Sequence, residues 1–185
     1  MERLIWGITG KRPERKPKLQ PVIQADDLSS EKGVNYTRLR DLLGAGEWKE
    51  ADEETLTVML KASSREKEGW FDTESINNFP CTDLRTIDQL WVKYSNRRFG
   101  FSVQKKIYLE FGGKADGEYY KEAWDKFCDR VGWKVKGNNW KKEDVAYNTS
   151  APEGHLPVTT SFLYPTLSIR LSLRLFRLLF SHQDL

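Results

Sequence analysis

Between Phe79-Pro80 and Ser95-Asn96, Leu84, Ile87, Leu90, Trp91 and Tyr94 recur at steps of three and four. That period lays an apolar stripe along one side of an α-helix and does not fit the two-residue period of a strand. Thr82 or Cys81 is placed to cap this helix. The same period recurs elsewhere in shorter runs, each ended by a breaker. Tyr36, Leu39, Leu42 and Leu43 form one run, stopped at Gly44-Ala45-Gly46, and Trp48, Ala51, Leu56, Met59 and Leu60 form the next, with Asp52, Glu53 and Glu54 near its start. Acidic residues there suit a helix N-terminus. After a polar loop over 62–69, Trp70 to Ile76 predicts a short helix closed by Phe79-Pro80. Ser102 is placed to cap a helix through Val103, Ile107 and Tyr108 that ends at Gly112-Gly113. Another carries Trp124, Phe127 and Val131 and stops at Gly132, and Ser150-Ala151-Pro152-Glu153 reads as a capping box opening a last short turn. Six or seven short helices and no convincing strand pair give an all-α fold.

Two ends stand outside this pattern. Residues 1–33, with the basic, proline-rich run Lys11 to Lys18, have no period able to bury a face and are expected to form a flexible tail or linker. In residues 158–185, Leu167 to Leu175 alternate as a strand would, while Arg170, Arg174 and Arg177 also share one side of a helix. With no other strand to pair with, an amphipathic helix is expected, packed on the domain or lying at a membrane surface.

Bulk properties narrow the functional classes. At 185 residues there is room for one domain and some tail. A net charge of +3 is too weak to imply nucleic acid. Cys81 and Cys128 belong to no CxxC or Cys/His pattern and are expected to be reduced thiols. No run of 18 apolar residues spans a membrane, and no signal-peptide core opens the chain, which points to an intracellular protein. A monomer is expected.

Catalytic constellations are not visible. A Ser-His-Asp or Cys-His arrangement would need His155, which lies in a Gly-His-Leu-Pro turn and reads as structural. Gly112-Gly113-Lys114 lacks the Walker spacing, and carboxylate runs such as Asp52-Glu53-Glu54 are ordinary on solvated helix faces. The chain reads as a non-enzyme with no metal site of its own.

The outlier is the aromatic content: seven Trp, seven Tyr and nine Phe. Such residues fill cores, and they also wall pockets for flat ligands. They stand beside Lys, Arg or Gly in three places: Trp70 to Phe79, Arg97 to Phe101, and Trp133 to Trp140. A porphyrin, a flat apolar disc with two propionates on one edge, would need that mixture of walls and cations.

The run Phe79 to Trp91, then Tyr94-Ser95-Asn96, Phe99 to Gln104, Gly132-Trp133 and Ser150 to Pro157, resembles the genomes-uncoupled-four (GUN-four) family, as does the opening from Tyr36 to Asp52. The resemblance covers about residues 34–157. It implies a cupped-hand helical domain whose apolar palm binds protoporphyrin IX or its magnesium complex. It further implies a regulator of chlorophyll biosynthesis that stimulates magnesium chelatase through its large subunit, in the cyanobacterial cytoplasm or the plastid stroma. A porphyrin- or bilin-sensing module that does not act on the chelatase is the alternative. Carried onto this sequence, the expected pigment-binding residues are Trp70, Phe71, Ile76, Phe79, Arg98, Phe99, Phe101, Trp133, Trp140 and Arg170. Two departures are visible: Asp72-Thr73 stands where family members place an aromatic, and Val158 to Thr166 is uncharged where chelatase-stimulating members carry basic residues.

Overall fold

The computed structural model describes residues 25–116, 118–133, 145–158 and 179–181. Among the described residues there is no strand, and six helices follow one another: α1 Thr37–Ala45, α2 Trp48–Ala62, α3 Thr73–Asn77, α4 Cys81–Tyr94, α5 Phe101–Glu110 and α6 Lys121–Val131. Helix α1 packs on α2 and α4, α2 on α4, α4 on α5, and α5 on α6. The long periodic run is thus the spine, touched by α1, α2 and α5.

Glycine stops α1 and α6 as the sequence predicts. Gly46 and Gly132 take left-handed φ values of 75° and 76°, and their N–H groups return to carbonyls of the last helical turn.

The starts of α4 and α5 differ from expectation. Neither Thr82 nor Cys81 caps α4. Pro80 holds the cap position, and the Thr82 N–H is taken by Glu31 Oε1 at 2.9 Å. Nor does Ser102 cap α5: its own N–H donates to Asp88 Oδ1, one α4 residue reaching across at 2.8 Å. Orphan N–H groups at a helix start need an acceptor, and here carboxylates distant in sequence supply it. Local spacing cannot show such a partner. The Ser150 capping box is likewise replaced by a turn, in which Asn148 Oδ1 accepts the Ser150 N–H at 2.9 Å.

Residues 25–33, expected to belong to the flexible tail, are held against the domain. Residues 25–33 run along α4, held by Asp26 against Lys93 and Tyr94, by Ser29 O accepting from Thr86 Oγ1 at 2.7 Å, and by Ser30 and Glu31 at Asp83. These are side-chain and backbone polar contacts with no hydrophobic period, so a periodicity reading misses them.

Two aromatic nodes build the core. At the α2–α4 contact, Trp48 lies 6.1 Å from Trp91 and 5.6 Å from Phe99. Trp91 is fully buried, and its indole N–H donates to Thr55 Oγ1 at 2.9 Å. At the α5–α6 contact, Phe127 lies 5.1 Å from Trp124, 6.1 Å from Tyr108 and 5.4 Å from Trp133. Edge-on and tilted rings at such spacings are the favoured aromatic arrangements.

The inward face of α2 is a correction. Besides Trp48, Ala51, Met59 and Leu60 it buries Asp52, Thr55 and Val58, while Leu56 is only half-buried. Asp52, expected on a solvated face, accepts the Val158 N–H at 2.7 Å across 106 residues. The amphipathic helix expected over 158–185 lies outside the described residues except at its end. There residues 179–181 are helical, and Phe180 packs 5.6 Å from Tyr108 and 6.0 Å from Phe127.

Candidate functional site

The turn between α2 and α3 is built by Arg65 and Asp72. Asp72 opens α3 with a capping box: its carboxylate accepts the Ser75 N–H at 2.7 Å and its own N–H donates to Ser75 Oγ at 3.0 Å. Arg65 donates from Nε to Trp70 O at 3.1 Å and pairs with Asp72 Oδ2 at 3.3 Å. Its guanidinium then lies 4.7 Å from the Trp70 ring centroid, in cation–π range. The Asp72 that departs from the family pattern is therefore the residue that fixes this turn. Hydrogen bonds from the Ser75 backbone and hydroxyl, and then the nearby Arg65, hold its carboxyl below the ordinary range.

Of the expected pigment-binding residues in this turn, Trp70 is half-exposed. Phe71, Ile76 and Phe79 are buried to 2% exposure or less. A cleft of about 290 Å³ opens beside them, lined by polar groups including Lys32, Ser63, Arg65, Asp72 and Asn78. A second, of about 670 Å³, runs between α1 and α2 past Arg38, Asp41, Leu42, Glu54 and Lys61. Both lack the mainly apolar walls that a macrocycle requires.

The other expected residues gather at the opposite end of α4. Phe99 is held at that end by its N–H donating to Ser95 Oγ at 2.8 Å, whereas Phe79 precedes the first turn. Fourteen helical residues separate the two, a length of about 21 Å. Phe99 and Phe101 are fully buried, the former between Trp48 and Trp91. Arg98 is half-buried, and its Nε donates to Ala151 O at 2.8 Å. Trp133 is 7% exposed and donates its indole N–H to His155 O at 2.9 Å. Trp140 and Arg170 lie outside the described residues.

The structure therefore divides the described candidates into two groups: Trp70, Phe71, Ile76 and Phe79 at one end of α4, Arg98, Phe99, Phe101 and Trp133 at the other. The second group is organised by 145–158, the segment that contains the Ser-Ala-Pro-Glu-Gly-His-Leu-Pro run. Gly154 N donates to Arg98 O at 2.8 Å, Gly100 N to Leu156 O at 3.1 Å, and Gln104 Nε2 to Gly154 O and Pro157 O at 3.0 and 2.9 Å. Arg130 pairs with Glu153 at 2.8 Å.

Within this segment His155 is 2% exposed, its Nδ1 2.7 Å from Val131 O and its Nε2 accepting the Ala146 N–H at 3.1 Å. Burial lowers its pKa against the opposing pull of the Val131 carbonyl, so the ring is neutral at pH 7. Both ring nitrogens are engaged, which removes it as a general base. Sequence reasoning placed His155 correctly as structural but missed its partners, as well as Asp52, Asp88 and Gln104. Asp52 did leave a trace, standing four residues after Trp48 on the apolar side of its helix. Among the described residues no group of three or more His, Cys, Asp or Glu side chains could hold a metal ion.

A family model described as GUN4-like matches residues 29–170. The chain belongs to the GUN4-like family. The match begins before the expected residue 34 and continues past Pro157 to residue 170. A Ycf53-like protein of Synechocystis sp. is 35% identical over 135 residues, which is 71% of this chain and 54% of that protein. The chloroplastic tetrapyrrole-binding protein of Arabidopsis thaliana is 32% identical over 120 residues, 62% of this chain and 44% of that protein. The chain thus spans about half the length of the curated relatives it matches. In three dimensions it superposes on GUN4 from Chlamydomonas reinhardtii with a TM-score of 0.67 and 31% identity, covering 85% of this chain and 94% of the other. For ligand-free Arabidopsis thaliana GUN4 the TM-score is 0.64 at 27% identity, with 84% and 97% covered.

Proposed function

We propose that this chain binds a porphyrin-type tetrapyrrole without chemical conversion. The observation that carries the reading is family membership over residues 29–170, shared with a relative named as a tetrapyrrole-binding protein. Trp70 with Arg65 against its ring supports it, since a half-exposed indole beside a cation suits an apolar disc with anionic edge groups. The ligand is protoporphyrin IX or its magnesium complex. Any magnesium is reached through water or not at all.

The role that follows is regulation of chlorophyll biosynthesis by stimulating magnesium chelatase through its large subunit. The protein acts as a monomer in the cyanobacterial cytoplasm or the plastid stroma, with peripheral membrane contact through the arginines of 158–185. Among the described residues no helix is long and apolar enough to cross a membrane.

One observation favours a second reading. Val158 to Thr166 carries no charge, and a chain lacking cations there would sense the pigment without acting on the chelatase. Stimulation of a reconstituted magnesium chelatase by the pigment-loaded protein supports the first reading. Saturable pigment binding without stimulation supports the second.

A further inference from the structure

The strap of residues 25–33 brings a cation to the cleft beside the Trp70 turn. Ser30 and Glu31 are fixed at the Asp83 carboxylate, Glu31 accepts the Thr82 N–H at 2.9 Å, and the Lys32 N–H donates to Ser30 Oγ at 3.1 Å. The Lys32 backbone is thereby held. Lys32 lines the cleft of about 290 Å³ together with Arg65, Asp72, Glu74 and Asn78.

The charges in that cleft are unevenly committed. Asp72 accepts from Ser75 and pairs with Arg65. Arg65 spends Nε on Trp70 O and Nη1 on Asp72, and its guanidinium lies 4.7 Å from the Trp70 ring centroid. The same group therefore borders both the polar cleft and the half-exposed indole. Lys32 and Glu74 are exposed, and among the described residues neither forms an ion pair.

We propose that Lys32 is a specificity-determining residue that reads a carboxylate of the bound tetrapyrrole in this cleft. This rests on the pigment-binding reading above. A disc lying against Trp70 brings its anionic edge past Arg65 to the cleft. The cleft is too polar for the ring and has what the edge needs: an uncommitted ammonium, and a guanidinium whose Nη2 enters neither of its two contacts. Glu74 repels the same carboxylate, so removing its charge has the opposite effect. Lys32 belongs to a stretch with no hydrophobic period, which is why the sequence reading left it in the tail.

The test is the dissociation constant of protoporphyrin IX and of its dimethyl ester, from tryptophan quenching in one detergent buffer at pH 7.5. Native protein is compared with Lys32→Gln, Lys32→Arg, Glu74→Gln and Lys67→Gln. Lys67 is exposed in the same turn and does not line the cleft. K32Q should bind protoporphyrin IX roughly three- to tenfold more weakly, the worth of one charge-assisted contact at an exposed position. K32R and K67Q should stay close to native, and E74Q should bind about two- to threefold more tightly. None of the four should change affinity for the ester, which has no carboxylate to read. K32Q with native affinity for protoporphyrin IX, the same loss for the ester, or an equal loss in K67Q overturns the proposal and leaves pigment binding standing. If the ester binds too weakly to titrate, salt decides. The protoporphyrin IX dissociation constant should then rise less steeply with sodium chloride in K32Q than in native protein, and parallel slopes overturn the proposal. No saturable quenching of native protein by either pigment removes the reading on which it rests.

Discussion

The Tyr36 hydroxyl donates to Asp83 Oδ1 at 2.7 Å inside the core, tying the residue before α1 to the first turn of α4. The same fully buried carboxylate takes the Ser30 hydroxyl and, at 2.8 Å, the Glu31 N–H. Three donors from a short stretch of chain converge on one acceptor, and this is what lays residues 25–33 along α4. Burial and the Asp83 carboxylate together push the Tyr36 phenol far above its ordinary pKa, so it remains a donor throughout the working range.

Replacing Asp83 by Ala strands those donors. The expected loss is about 3 kcal/mol, since each buried donor left without its charged acceptor costs on the order of 1–3 kcal/mol and part is recovered by water. Urea unfolding reads it as a lower midpoint at unchanged slope. A midpoint within error of native would show that the chain before α1 does not depend on this carboxylate.

Gly100 has φ 135°, and a Cβ there would come within 2.9 Å of both Asp88 Oδ1 and Val92 Cγ2. Gly100→Ala should therefore destabilise by about 2 kcal/mol or more, combining a strained backbone with a clash against α4. Since Gly100 also donates to Leu156 O at 3.1 Å, amide exchange of Gly100 should accelerate with the loss. Equal stability of G100A would mean that the α4–α5 corner yields more easily than its packing indicates.

Asp88 gives a pH signature. Burial raises its folded pKa despite the hydrogen bonds from Ser102 and Phe101. The folded state thus favours the protonated form, and this group's contribution to stability falls as pH rises from the unfolded value, about 3.9, through the raised folded value. Asp88→Asn has no such dependence and can still accept the Ser102 N–H through its amide oxygen. The stability of D88N relative to native should therefore improve between pH 4 and the raised pKa and then level off. A difference that is flat or worsens over that range contradicts the assignment.

Much of the fold was legible because it is local. The three- and four-residue steps of Leu84, Ile87, Leu90 and Trp91 marked α4, and Gly46 and Gly132 marked two helix ends. What escaped is non-local. Asp88 accepting from Ser102, Asp52 from Val158 and Glu31 from Thr82 join residues 14, 106 and 51 positions apart, and no spacing rule connects them. The candidate site was harder to read for another reason. Aromatic residues were named by type and neighbours, yet burial separates the half-exposed Trp70 from the buried Phe71, Ile76 and Phe79. The helical period that predicts burial is too short in α3 to sort them.

Trp70→Ala removes the half-exposed indole and leaves the Arg65–Asp72 pair and the Trp70 backbone acceptor in place. Protoporphyrin IX affinity should fall by about 1–3 kcal/mol, the worth of lost aromatic contact area, with little change in stability. Trp140→Ala should weaken binding to a similar degree. Native affinity in W70A would place the pigment away from the α2–α3 turn.

Titration of the purified protein with protoporphyrin IX and its magnesium complex, followed by tryptophan fluorescence, tests the central claim most directly. Saturable one-to-one quenching at micromolar or lower concentration is the predicted result. Quenching that fails to saturate with either pigment would contradict tetrapyrrole binding by this chain.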